Sequence, residues 1–167
     1  MPKTFEVDVE SPISTTRVLD AFGTAAYWHD RFETFGTRTV VDQLTVHDTG
    51  RVDIVTVQDL RRDGLPSLLT KVYRGDLQVK TTETWIPRGN GDVTGELVVE
   101  VIGAPGSGGG SARMTPRGSG SHLTFSGVVR FPVPVVGGRI ESYVGEQFSQ
   151  HIPEIQDFTT DWVRAHG

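Results

Sequence analysis

The sequence predicts an α+β domain: a curved antiparallel sheet of six to seven strands, two short helices after the first strand, and a long C-terminal helix packed over the sheet. Three observations predict it. Residues 3–10 alternate strictly, with Phe5, Val7 and Val9 on one face and Thr4, Glu6, Asp8 and Glu10 on the other. The same period of two returns in separate runs between residues 37 and 131. From 135 to 165 alternation stops and a helical stripe replaces it. Burial on one face means antiparallel strands with a wet outer side.

The elements follow in order. Ser11-Pro12 ends the first strand, and Ser14 or Ser11 can cap a short helix carrying Val18, Leu19 and Phe22, which breaks at Gly23. A second short helix starts near Ala25, with Ala25, Trp28, Phe32 and Phe35 on one seam and Gly36 placed to stop it. Residues 37–47 and 51–60 make a hairpin across Asp48-Thr49-Gly50. Residues 65–69 are an apolar break, read as one helical turn. On strand 77–86, Leu77, Val79, Thr81, Glu83 and Trp85 share parity; 87–92 is a dense turn. Strand 92–103 has Leu97, Val99 and Val101 inward, and strand 123–131 has Leu123, Phe125, Val129 and Phe131 inward.

Between those last two strands, residues 103–120 hold 7 of the chain's 20 glycines. With no GK[ST] and no strand-to-helix context, the phosphate-loop reading fails. Composition predicts a mobile hairpin around one short strand, 112–115. The final helix of roughly 25 residues would be about 37 Å long. Its expected stripe is Ile140, Val144, Phe148, Ile155, Phe158 and Trp162, with Gly137-Gly138 at its start and a bend at Pro153.

Composition bounds the function. The 167 residues support one domain over 1–167, and a chain of this size buries roughly 68–70% of its unfolded surface without needing a metal or disulfide. Cysteine is absent, which excludes disulfide scaffolds, thiolate metal sites and cysteine nucleophiles. A net charge of −5 argues against nucleic acid as a partner. The start carries acidic residues where a signal peptide needs an apolar run, and no stretch approaches the ~18 apolar residues of a membrane span, so the cytoplasm is the expected address. The five histidines show neither HxH nor HExxH spacing, no GxSxG elbow occurs, and neither a metal nor a cofactor is expected.

An antiparallel sheet with one apolar face must bury it, and a single long helix cannot fill a curved sheet. The leftover volume is a cavity between helix and sheet, mostly apolar with few polar groups. This arrangement resembles the helix-grip fold of the START-like (SRPBCC) superfamily, which also holds birch-pollen-allergen-like proteins and polyketide cyclases. The opening FEVDVESPISTTRVLDAFGTAAYWHDRFETFG is similar to the superfamily's first strand, turn and helix with an aromatic pair. DGLPSLLTKVYRGDLQVKTTETW and FPVPVVGGRIESYV resemble, more narrowly, a bacterial branch known as domain-of-unknown-function family 2505. The resemblance implies a single START-like ligand-binding domain and assigns no chemistry.

Polar groups on the inner faces are the candidates for chemistry. The expected ligand contacts on the sheet are Thr81, Glu83, Trp85, Val99, Met114 and Phe125. On the long helix they are Tyr143, Gln147, Phe148 and His151, with Gln147 and His151 inside the apolar stripe. A buried carboxylate is costly unless paired, so Glu83 sits at a cavity mouth, pairs, or faces water through strand twist. His29 lies on a solvated helix face.

Three functions fit. The leading one is a module binding a hydrophobic small molecule or lipid, gated by the glycine-rich hairpin and residues 64–75. The second resembles polyketide cyclases, with His151 and Glu83 transferring protons. The third is a protein-interaction module with a filled core, its partner unknown. Its sheet face would carry Lys80, Thr82, Thr84, Glu96 and Glu100, a mixed surface unsuited to a large permanent interface.

Overall fold

A computed structural model describes residues 2–60 and 76–166. Its seven strands are β1 (Lys3–Ser11), β2 (Thr39–Val46), β3 (Val52–Leu60), β4 (Leu77–Pro87), β5 (Val93–Ile102), β6 (Ser107–Arg117) and β7 (Gly120–Arg130). The helices are α1 (Thr15–Phe22), α2 (Ala25–Thr34) and the long α3 (Gly137–His166). All strand pairs are antiparallel, in the order β1-β7-β6-β5-β4-β3-β2, so the first strand joins the last and β1 and β2 form the edges. This is the α+β sheet-and-helix architecture that the alternation predicts, in the helix-grip arrangement that the resemblance implies. The break at 65–69 and the gate at 64–75 lie outside the described residues.

Local chemistry sets the element ends. Ser14 caps α1, its side chain accepting from the Arg17 amide at 3.4 Å. Ser11 does something else: its hydroxyl meets that of Thr160 at 2.8 Å and ties β1 to α3. α1 buries Val18, Leu19 and Phe22, and α2 buries Tyr27 and Trp28 completely. The Trp28 indole donates to the Phe22 carbonyl at 2.7 Å, locking the two helices together. The β2–β3 turn closes through His47 and Arg51, with Gly50 at φ 90°. A bulge between Val41 and Gln43 shifts the register of β2.

The glycine-rich segment departs from expectation. Instead of a mobile hairpin around 112–115, it forms the eleven-residue strand β6, paired along its length with β5 and β7. Composition misleads here because the ladder satisfies the backbone and neighbouring rings replace the missing side chains. A Cβ on Gly110 would come 2.5 Å from the Phe125 ring, and one on Gly127 of β7 would overlap the Phe5 ring. Aromatic rings laid over inward glycines are a known way of firming up a glycine-bearing sheet.

The start of α3 shows why its sequence reads VVGGRIE. The Glu141 carboxylate accepts from the Phe131 amide at 2.8 Å, pinning the helix start to the end of β7. A Cβ on Gly137 would overlap the Phe131 carbonyl oxygen, so the chain turns this closely only with glycine there. The helix spans 30 residues and runs unbroken through Pro153.

Its rotation also differs from expectation. The buried residues are Ile140, Glu141, Gly145, Gln156, Thr159, Thr160 and Val163, whereas Phe148 and Gln147 are exposed and Ile155, Phe158 and Trp162 are half-buried. Small and hydroxylated residues face inward because α3 lies directly against β1, where Thr159 and Thr160 find partners on α2 and β1. The larger apolar groups flank that line and meet α2 and Phe5. A stripe drawn by hydrophobicity alone therefore points to one side of the true contact.

Candidate functional site

Strand register puts Ile54, Glu83, Leu97, Gly110, Gly127 and Phe5 in one row across the inner face of the sheet. The neighbouring row on one side is Val52, Trp85, Gly95, Ala112, Phe125 and Val7. On the other side run Thr56, Thr81, Val99, Gly108 and Val129. The core closes at the Trp85 end, where Trp85, Val93, Met114 and Leu123 are buried with Ile13, Val18, Phe22 and Val163. Towards the opposite end Thr81, Leu97 and Val99 face the same way yet are only half-buried. Three inward glycines, at 108, 110 and 127, remove side-chain bulk there. On the opposite, outer face of the sheet an open depression of about 870 Å³ is lined by Thr4, Glu6, Glu96, Ser111, Ser126 and Val128, and reaches Phe5 and Leu97 past the glycines.

The expected site residues thus fall into groups. Thr81, Glu83, Trp85 and Val99 line the inner face, and the parity reading of β4 holds. Met114, at 1% exposure, and Phe125 belong to the packed core. Phe148 stacks on Phe5 with centroids 6.0 Å apart, and Phe5 stacks on Phe125 at 5.8 Å, which makes a ring ladder from helix to sheet. His151 is half-buried, its ring edge-on to Phe35 at 4.8 Å. Gln147 is exposed and Tyr143 is 45% exposed, outside the buried stripe in which the phase reading placed Gln147.

Glu83 is buried, and its Oε1 accepts the Trp85 indole N–H at 3.0 Å. Burial pushes its carboxyl up, against the opposing pull of Arg31 and of the Trp85 hydrogen bond. Burial pushes His151 down, and the Arg31 charge pushes it the same way, while Glu154 acts in opposition. Among the described residues no hydrogen bond joins Glu83 to His151. The pair is linked instead through a shared neighbour, Arg31.

Sequence reasoning missed Arg31, Tyr27 and Thr159. Tyr27 is fully buried, with its hydroxyl 2.6 Å from that of Thr159. Burial raises its pKa, while Arg31 and the Thr159 bond lower it. Arg31 lies four residues after Tyr27 and three after Trp28, so helical spacing sets it on their face of α2. That spacing was the available signal, passed over because attention on this helix went to His29. The guanidinium lies 4.8 Å from the centre of the Trp28 ring. His29 is exposed as expected; with Asp30 and Glu33 it forms a surface cluster whose ligand atoms lie within 4.8 Å of one another.

The comparisons agree with this architecture. The family described as "Protein of unknown function (DUF2505)" matches residues 6–163. The uncharacterized protein Rv0481c of Mycobacterium tuberculosis is 33% identical over 174 residues, covering 98% of both chains. Among solved structures, Ara h 8.0201 superposes with a TM-score of 0.56 at 12% identity, covering 99% of each chain. Human STARD10 gives 0.62 at 12% identity, over 98% of this chain and 66% of its own. Such low identity shows a shared fold. Among the described residues no helix is long and apolar enough to cross a membrane.

Proposed function

The chain belongs to the DUF2505 family and has the helix-grip fold of the START-like superfamily, and from that premise we propose that it binds a hydrophobic small molecule or lipid between the sheet and α3. The observation that carries the proposal is the half-burial of Thr81, Leu97 and Val99. These side chains point to the helix side of the sheet, yet helix and core leave them open, where a packed interior would cover them. Cavities of this kind, apolar with a few convergent polar groups, are the usual form of small-molecule sites. Here the polar groups are Thr81, Glu83 and His151.

Two measurements on the purified protein test the proposal. A native mass spectrum, repeated after denaturation and organic extraction, should release a small apolar molecule. Titration with the neutral dye N-phenyl-1-naphthylamine should give a saturable rise in fluorescence. A bare chain mass together with no dye response sinks the proposal.

One observation favours a second reading, proton-transfer catalysis resembling that of polyketide cyclases. Burial pushes the Glu83 carboxyl up and the His151 imidazole down, toward the range in which an acid and a base exchange protons. His151→Ala should then abolish turnover of a poly-β-carbonyl substrate while its binding survives.

A further inference from the structure

Arg31 occupies a position that packing alone does not explain. It shares a face of α2 with Tyr27 and Trp28, both at 0% exposure, and is itself only half-buried. One turn before it Tyr27 is bonded to Thr159 of α3, and one turn after it Phe35 packs on His151 of α3, so the guanidinium stands on the face of α2 that meets α3, and its charge is felt at Glu83 of β4. Aromatic groups surround the position: Trp28 beneath the guanidinium, and Phe35 packed edge-on to both His151 and Phe158.

Among the described residues no carboxylate oxygen lies within 4.0 Å of this guanidinium. Glu83 does not fill that role, because its Oε1 is held by the Trp85 indole and its burial favours the neutral acid. His151, pushed toward its neutral form, adds no competing cation. An arginine held in a partly desolvated aromatic setting, with no counter-charge in contact among the described residues, can serve as one half of an ion pair. Its planar fork of donors suits the two oxygens of a carboxylate or the face of a sulfonate or phosphate.

We propose that Arg31 anchors the acidic group of the bound molecule, so that the ligand is an apolar anion whose hydrocarbon or aromatic body lies along the half-buried inner face at Thr81, Leu97 and Val99. The inference rests on the cavity reading above and adds the ligand's charge and orientation. The head group meets Arg31 beside α2, and the apolar body runs toward Phe5 and Phe148.

A matched pair of dyes tests it on the full-length protein at neutral pH. N-phenyl-1-naphthylamine and 8-anilinonaphthalene-1-sulfonate share one arylamine body, and only the second carries an anion. The sulfonate should bind about tenfold or more tightly than the neutral dye and displace it, as a charge-assisted contact implies. Arg31→Gln should bring the sulfonate's affinity down to that of the neutral dye and leave the neutral dye's affinity unchanged. Arg31→Lys, which keeps the charge and loses the fork, should retain part of the preference and serves as the reporter if the glutamine variant folds poorly. Equal affinities for the two dyes, or a preference that survives Arg31→Gln, overturn the anchor and leave the cavity reading standing. Binding of neither dye overturns both.

Discussion

The hydroxyls of Tyr27 and Thr159 lie 2.6 Å apart inside the core. The Thr159 hydroxyl also donates to the Ile155 carbonyl at 2.8 Å, so its single proton is used and Tyr27 is the donor in the pair. Removing the acceptor strands a buried donor. Thr159→Val should destabilise by about 1–3 kcal/mol in urea unfolding, whereas Tyr27→Phe combined with Thr159→Val should recover much of that loss.

The inward glycines make an opposite pair of tests with Gly138. A methyl at Gly127 overlaps the Phe5 ring, so Gly127→Ala should cost about 1–3 kcal/mol by overpacking. Nothing lies within 4 Å of a Cβ built on Gly138, in the first turn of α3. Gly138→Ala should therefore stabilise by about 0.4–1 kcal/mol, as read from denaturant midpoints.

Glu83 should make stability fall as pH rises. Burial lifts its folded-state pKa above the ordinary 4.5, so the folded chain keeps a proton that the unfolded chain releases. Stability declines from about that pH until the folded-state value is passed, then levels off. Glu83→Gln keeps an acceptor for the Trp85 indole and removes the titration. Its unfolding midpoint should exceed the parent's at neutral pH, with the advantage vanishing in acid.

His151 should act in the other sense. Its folded-state pKa lies below the ordinary 6.5, first through burial and then through Arg31, so on acidification the unfolded chain takes up the proton first. Stability drops as pH falls from 6.5 through the folded-state value. His151→Gln should flatten that part of the profile, and the His151 ring resonances should titrate below the ordinary 6.5.

Gln156 is 3% exposed, and its side-chain amide nitrogen is the buried donor without a partner among the described residues. Gln156→Met, similar in length and free of donors, should raise stability by about 1 kcal/mol in thermal or urea unfolding. A loss of stability would show that the amide finds a partner in solution.

Much of the fold was legible because its rules are local. Alternation from Phe5 to Val9 and from Leu77 to Trp85 fixed which residues face inward, and Glu83 follows that parity. Two features were not legible, and each depends on a distant partner. The glycines of β6 read as a flexible linker until the ladder to β5 and β7 is seen to hold them and Phe125, on β7, to cover Gly110. The contact face of α3 is chosen by Ser11 and Tyr27, whose hydroxyls meet Thr160 and Thr159, so hydrophobic phase put Gln147 in the wrong sector. Arg31 lay hidden for a related reason. A charged residue beside Asp30 reads as surface, although its spacing from Tyr27 and Trp28 says otherwise.

The strand made of glycines has a consequence for how this molecule can diversify. A wall built from side chains is reshaped only by altering its own strand. At Gly108 and Gly110 of β6 and Gly127 of β7 the inner wall is bare backbone, and its relief is lent by the Phe125 ring over Gly110 and the Phe5 ring over Gly127. The depth of the recess is therefore written in two aromatic positions outside the strand that forms its floor. Trimming either ring deepens the recess and leaves every ladder hydrogen bond in place, so one substitution can resize the chamber while the scaffold's hydrogen-bonded frame stays unchanged.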